Sequence, residues 1–494
     1  MIARTLTVGA CLLLGLALGA CSFAPKYERP GQDIPAAWRT VDAGTEPLTA
    51  KWWERFNDPV LNAMVEEALR NNQDLAESLA KIASARAQQG QARSALFPMI
   101  TGEADATSNS TSERAPNLTS YYNEKNPMRR TTTSYQGVIG GSWELDLWGK
   151  YRNQYTALTD MLLATSAGHA GNRLLVAGQT AQGYFTLRAL DMQLATARRT
   201  LKSREDSFVI YTTRYKQGDI TELDWLRAKS EVETARAQVH TSTVGVDAAE
   251  AELAVLLGRS PREIMTGAME RGREIENLPS PPLLPAGLPS ELLFRRPDIR
   301  AAEYQLMAYN ANIGTARANF FPSISLTGAL GTMSSSVGWL FSGRAGMWNY
   351  GVQGSVPLLD FGRTWYQVKD AEAQKQGAIA IYNKTVQSAF QDIRTSLTKQ
   401  READFIVNSY KTQVDALSRA LELARLQYDN GYTDYLTVLD AERQLFTVEM
   451  QLATALSDRL NAIVSVCMAL GGGWEDPEVA GPVSDTAASE AAAR

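Results

Sequence analysis

The sequence predicts an α+β membrane protein in which two internal repeats give four strands to a shared transmembrane β-barrel, with long antiparallel coiled-coil helices forming a tube or a stalk beyond it. Three observations predict it. An apolar leader runs into a small-residue exit and a cysteine; the chain matches itself over much of its length; and within each copy the hydrophobic period changes from helical to alternating and back.

Composition narrows the function classes first. The 494-residue chain is 44% apolar and 21% charged, the balance of a folded protein. Its formal charge of −5 becomes −6 once residues 1–20, whose sole charge is Arg4, are removed, and no basic run occurs. A nucleic-acid surface is therefore not expected. With only His169 and His240, and no HExxH, CxxC or GxSxG spacing, the common zinc and serine-hydrolase sites cannot be assembled. The expectation is no enzyme, no catalytic residue, no resident metal and no cofactor.

Residues 1–20 read as a secretory signal: one basic residue, then an apolar stretch from Leu6 to Ala20 too short to be an ordinary spanning helix. The ending Leu18-Gly19-Ala20-Cys21 resembles a bacterial lipobox, which implies acylation of Cys21 and firm attachment to a membrane surface. Ser22 follows rather than Asp, and by the same resemblance this implies the outer membrane. Residues 21–58 form the lipid-anchored N-terminal segment. Cys11 leaves with the signal, and Cys467 in an apolar helical stretch reads as a buried small hydrophobe, so no disulfide framework is expected.

The first repeat spans 59–276 and the second 291–474, separated by the proline-rich linker 277–290 and followed by a flexible tail, 475–494. Leu69–Pro98 aligns without a gap on Leu293–Pro322, pairing Asp74 with Asp298, Gly90 with Gly314 and Arg93 with Arg317. Later matches fall 213 positions apart: Ser142 with Ser355, and Tyr215 in "YKQGDITELDWLRAK" with Tyr428 in "YDNGYTDYLTVLDAER". Two copies of one structural unit are predicted.

Each repeat opens on a helix, 60–95 and 298–319, stopped by a Phe-Pro pair that cannot continue the hydrogen-bond ladder. Alternation follows. Tyr135, Gly137, Ile139, Gly141, Trp143, Leu145 and Leu147 share one face, as do Trp348, Tyr350, Val352, Gly354, Val356 and Leu358. Phe97–Thr107 and Phe321–Met333 supply the other strand of each hairpin more loosely, with Ser108–Arg130 and Ser334–Ala345 as outer loops. The pattern suits barrel strands between lipid and water, although a soluble hairpin on a core alternates too. Four strands cannot close a barrel, and an open edge in lipid would strand backbone groups, so several chains must share one.

The remainder reads as long helices. Proline is absent from Met128 to Ser260 and from Leu358 to Asp476, while Leu439, Phe446, Ala453, Leu460 and Cys467 recur every seven residues. A continuous helix from Tyr151 to Tyr215 would run about 100 Å. Gly218 and Gly431, each three residues after a tyrosine, supply the left-handed turn that ends the helix. They are the predicted hairpin tips, and Arg443 and Ser457 interrupt the apolar seam beyond them.

The lipobox, "GLPSELLFRRPDIRAAE" from Gly287, "LLDFGR" from Leu358 and "YLTVLDAERQL" from Tyr435 together resemble the outer-membrane factor family of TolC-like efflux proteins, in its lipoprotein branch. The resemblance covers nearly the whole mature chain. It implies a homotrimer whose twelve-stranded barrel continues into a twelve-helix periplasmic tunnel. Its implied partners are outer-membrane lipid, a periplasmic adaptor protein meeting the tips at Gly218 and Gly431, and an inner-membrane transporter of the RND type. In function it implies a passive exit duct for drugs and other small amphiphiles. Export of proteins or metal ions is the alternative within the class. A lipid-anchored coiled-coil scaffold without a pore would also fit the signal and heptads, though not the paired strands; an anchored hydrolase lacks a nucleophile and base.

The same resemblance assigns a gate. Asp440 matches the constricting aspartate, Leu436 the apolar collar one turn before it and Arg443 the residue one turn after. Tyr428 matches a tyrosine tying inner to outer helices, with Asp224 as its acidic partner. Thr437 and Thr433 stand where some relatives carry an aspartate and a basic residue, which implies a constriction held by fewer charges. Three copies of Asp440 around an axis would make an anionic ring able to favour cations. Spacing alone favours an exposed Asp440 and Arg443 pair at i, i+3, worth a few tenths of a kcal/mol, and it is the resemblance that implies the gate.

Overall fold

The structure, a computed structural model, describes residues 22–35, 51–110, 112, 131–279, 281 and 295–472. Cys21 and the signal, the Ser108–Arg130 loop beyond Ser110 except for Ser112, most of the linker and the tail lie outside the described residues. Among the described residues the chain order is α1 Pro59–Asn71, α2 Gln73–Ser94, β1 Met99–Ser110, β2 Thr131–Leu145, α3 Lys150–Gln217, α4 Glu222–Leu256, α5 Pro261–Thr266 and α6 Pro297–Ala318. It continues with β3 Ser323–Ser334, β4 Gly346–Ser355, α7 Arg363–Asp429 and α8 Tyr435–Ala469. The 68 residues of α3 extend about 100 Å at 1.5 Å per residue.

The strands form one antiparallel sheet in the order β1-β2-β3-β4, so the two repeats pair through β2 and β3. Its register separates two chemistries. Ile139, Leu330 and Trp348 stand opposite one another, as do Trp143, Leu326 and Val352, making one apolar face. Thr101, Glu103, Asp105, Gln136, Ser325 and Gln353 occupy the other. Ile139, Leu330, Trp348, Tyr350 and Val352 are exposed within the chain, as a lipid-facing surface requires. Among the described residues β1 and β4 are edges with no strand beyond them. The strands stop earlier than their alternation suggests: Leu147, Val356 and Leu358 lie past the ends of β2 and β4. Asp146 accounts for the first stop, because its carboxylate accepts from the Tyr151 and Arg152 amides and opens α3.

A second difference concerns the opening helix. Instead of running through 60–95, it breaks at Asn72, whose backbone is extended. The Asn72 side chain accepts from the Asp74 and Leu75 amides, capping α2, and donates to the Leu256 carbonyl at 3.0 Å.

The chain divides into two compact units, neither of which is a repeat. One is built on Ser84–Leu162 and Tyr304–Ala380 with the segment up to Arg29; the other on Pro30–Ala83, Leu163–Glu303 and the chain from Ile381. In the first, Trp143 Nε1 donates to the Leu96 carbonyl and Trp148 Nε1 to that of Pro322, so the base of β2 is tied to both helix-to-strand corners. The N-terminal strap runs across this unit. Phe23 stacks on Phe321 at 4.4 Å, Phe321 on Trp148 at 5.0 Å, and Asn310 Nδ2 donates to the Pro25 carbonyl at 2.7 Å.

The core of the second unit joins Trp52, Phe56, Leu61, Phe185, Leu456, Leu460 and Val464. Trp52, Trp53 and Phe56, which the sequence places in the N-terminal segment, are buried there. Asp58 organises this corner: it caps α1 through the Val60 amide and receives the Tyr184 hydroxyl at 2.5 Å and the Arg273 amide at 3.2 Å. Leu278, at the start of the linker, is also buried. Along α8, Leu439, Ala453, Leu460 and Cys467 of the heptad series are buried, Phe446 is half-buried and Arg443 exposed. The seam's Ser457 is buried and accepts from Asn461.

Candidate functional site

Two helical hairpins, α3 with α4 and α7 with α8, bring the charged phrases of both repeats to their tips. Gly218 and Gly431 turn the chain with φ of +81° and +76°. At each, the glycine amide and the next one bond back to the helix, to Tyr215 and Arg214 in one tip and to Tyr428 and Gln427 in the other. This pairing satisfies the last carbonyls and needs the left-handed φ that glycine adopts without steric cost.

The returning helices are capped by the residues that follow. Thr221 caps α4, accepting from the Asp224 amide at 3.2 Å and donating its hydroxyl to the Asp224 carboxylate at 2.7 Å. Asp434 caps α8 through Thr437, whose amide and hydroxyl both donate to it, at 3.2 and 3.0 Å. Thr433 and Thr437 share a 2.9 Å hydrogen bond. The two threonines thus serve to start α8.

One turn further, Leu436 and Asp440 lie a turn apart on the exposed side of α8, Leu436 being 46% exposed. The Asp440 carboxylate accepts from Gln444 Nε2 at 2.6 Å. Arg443 is not its hydrogen-bonded partner, which corrects the i, i+3 pair that spacing allows. The guanidinium turns to Glu231 on α4, with Nε 2.9 Å from Oε1 and Nη2 on the same oxygen. This hydrogen bond pulls the Arg443 pKa further up, so it stays charged.

Glu231 is 3% exposed and has a second cation, Arg204 on α3, itself 7% exposed. Arg204 Nη1 lies 2.8 Å from the Glu231 carboxylate and donates to the Glu231 carbonyl at 3.1 Å. Three helices therefore meet at one buried carboxylate. Glu231 was absent from the sequence-derived site, yet the argument that singled out Arg443 applies to it. With Ala228 three residues before and Ala235 four after, it is a charge in an apolar seam.

Tyr428 packs against Tyr211 and Tyr435, with centroids 6.1 and 5.7 Å away, while Tyr211 and Tyr435 approach to 4.4 Å. The Arg214 guanidinium sits 5.8 Å over the Tyr428 ring. Burial pushes the Tyr211 and Tyr435 hydroxyls up, so the cluster remains neutral. Asp224 does not join Tyr428 within the chain; besides Thr221 it meets Arg227, 3.5 Å away on its own helix. Further links tie the tips: Arg425 to Glu442 at 2.7 Å and Arg199 to Glu449 at 2.9 Å. Cys21, the remaining predicted site residue, lies outside the described residues.

A sheet that is apolar on one side and open at both edges, with helical hairpins crossed by charges, defines what relatives to expect. The family model for outer membrane efflux proteins matches residues 64–259 and 288–472, one segment for each repeat. The chain belongs to the outer membrane efflux protein family. It is 34% identical over 476 residues to the solvent efflux pump outer membrane protein SrpC of Pseudomonas putida, covering 93% of this chain and 97% of that one. It is 31% identical over 467 residues to the cation efflux system protein CusC of Escherichia coli O6:H1, covering 94% and 98%. The solved CmeC outer membrane channel of Campylobacter jejuni superposes with a TM-score of 0.86 at 25% identity, covering 95% of this chain and 98% of that one. The family consists of channels rather than enzymes. The chain is an outer-membrane efflux channel whose strands contribute to a membrane barrel, as its sequence predicts.

Proposed function

We propose that three copies of the chain form the exit duct of a tripartite efflux system, passing small amphiphilic compounds outward from an inner-membrane pump. The observation that carries this reading is the four-stranded sheet, apolar on one face, polar on the other and unpaired at β1 and β4. Unpaired edges have no stable place in lipid, and joining β4 of one copy to β1 of the next closes a barrel whose polar face lines a water-filled lumen. Three copies supply the twelve strands that the family resemblance implies.

Acyl chains on Cys21 would anchor each copy, and the strap from Ser22 onward supports a fixed attachment point. A periplasmic adaptor protein and an RND-type pump meet the exposed tips. There Leu436 and Asp440 of the three copies ring the axis as collar and constriction, with Tyr428 and Arg443 joining the inner hairpin to the outer one. In this reading Asp224 supports the tip by accepting the hydroxyl of Thr221, the residue that caps α4, rather than by holding Tyr428. SrpC, named for solvent efflux, favours amphiphilic cargo; CusC, named for cation efflux, supports metal ions as the second reading.

Conductance of the purified protein in a planar bilayer tests the duct and its gate together. The expected result is a low conductance that rises sharply in Asp440→Ala. Equal conductance in both removes Asp440 from the gate, and no channel in either removes the duct. Accumulation of an amphiphilic dye or of silver ions in cells lacking the chain decides between the cargo classes.

A further inference from the structure

We infer that Glu231 is the fixed half of a re-closable latch, with Arg204 as its permanent counter-ion and Arg443 as the detachable hook between the inner and outer hairpins. The inference rests on reading the tips as a gate and adds a second fastening, one turn of α8 beyond Asp440.

The asymmetry of the two cations carries it. Arg204 is 7% exposed and spends Nη1 on both the carboxylate and the carbonyl of Glu231. Without it Glu231 would depend on Arg443, and losing that contact too would leave an unpaired charge in the interior, which is strongly destabilising. The Arg443 side chain is 57% exposed and approaches Glu231 from the water side. When α8 swings away, this guanidinium returns to solvent at little cost, while Glu231 keeps Arg204 and no buried charge is orphaned. A carboxylate shared by one buried and one exposed guanidinium can thus lose the second and regain it. A carboxylate with Arg443 alone could not open without stranding its own charge. The connection joins α4 to α8, one helix from each hairpin, so separating the hairpins at these tips breaks it.

The sign pattern of three variants tests this. Open probability in planar bilayers should rise about tenfold in Glu231→Gln, the ratio that about 1.4 kcal/mol sets. Arg443→Gln should rise as much, and the double variant no further, because both remove the Arg443–Glu231 contact while the Arg204 contact is the same open and shut. Arg204→Met should go the other way and hold the channel shut, since opening would then orphan Glu231; a purely structural role would not invert the sign. Wild-type conductance in Glu231→Gln beside a raised Asp440→Ala overturns the latch and leaves the gate. Wild-type conductance in all of them, Asp440→Ala included, overturns the gate itself. Heat-modifiable migration on gels reports assembly, and if Glu231→Gln does not assemble, Arg443→Gln at the exposed end decides in its place.

Discussion

Adding one methyl group to α6 should release the N-terminal strap. A Cβ on Gly314 would lie 2.5 Å from Asn153 Nδ2, 2.7 Å from the Ala24 amide nitrogen and 2.8 Å from the Ala24 Cβ. Asn153 is buried on α3, so the strap is the lighter body and moves. Its displacement breaks the bonds from Asn310 to the Pro25 carbonyl and from Ser22 to Asn153, at 2.7 and 2.8 Å, and separates Phe23 from Phe321. Two neutral hydrogen bonds and one ring contact amount to about 3 kcal/mol. Alanine in place of a helical glycine returns about 1 kcal/mol. The net loss of about 2 kcal/mol raises the detached fraction about thirtyfold. Trypsin reads it directly, because the Lys26–Tyr27 bond lies in the strap and cleavage follows the open population when closing is fast. Gly314→Ala should be cut there about thirtyfold faster. Gly168→Ala, whose Cβ meets nothing within 4 Å, should be cut at the wild-type rate. Equal rates for the two variants would refute the reasoning.

Two further outcomes follow from buried polar groups. Tyr184→Phe removes the hydroxyl that donates to the buried Asp58 carboxylate at 2.5 Å and should cost about 2 kcal/mol, seen as a lower urea midpoint for the unit holding α1. His169 bonds Ser78 through Nδ1 at 2.6 Å, and burial, with Arg173 adding to it, holds its pKa below the ordinary value of about 6.5. The unfolded chain therefore takes up this proton first. The His169 contribution is complete above about pH 7 and is lost as pH falls through 6.5 towards the depressed value. Melting curves at pH 5 and 7.5 should show a smaller difference for His169→Gln than for wild type.

The legible parts of the fold are those whose cause is local. A strand with lipid on one side and water on the other has to alternate, so Ile139, Trp143, Trp348 and Val352 could be assigned to one face before any partner strand was known. Gly218 and Gly431 marked the tips because the turn requires a φ that other residues adopt at a steric cost. The missed features are set by groups far along the chain. The break at Asn72 depends on a carbonyl 184 residues away, and the Arg443 partner lies 212 residues away. Nothing in "LRNNQDL" or "LDAER" encodes those distances.

The doubled phrase carries its information in where the copies disagree. At the spacing that superposes Gly218 on Gly431, Leu223 matches Leu436 and Tyr215 matches Tyr428, so the turn and the leucine five residues after it are the same in both. The charges are not. Arg227 stands against Asp440, Ser230 against Arg443 and Glu231 against Gln444. Equivalent positions thus carry opposite or missing charge, and each copy offers the other what it lacks: the buried acid on α4 and the exposed cation on α8. Two identical hairpins would repel at this level, with acid facing acid or cation facing cation; two apolar ones would pack without a means of letting go. Sequence divergence confined to polar positions keeps the common packing and makes the contact between hairpins electrostatic, hence one that water can compete for at its exposed end. For that reason Ser230→Arg, which restores the symmetry by placing a cation beside Glu231 on α4 itself, should weaken the Arg443 hook and raise the open probability, while Leu223→Ala, a change at the shared leucine, should leave the latch's coupling energy unaltered.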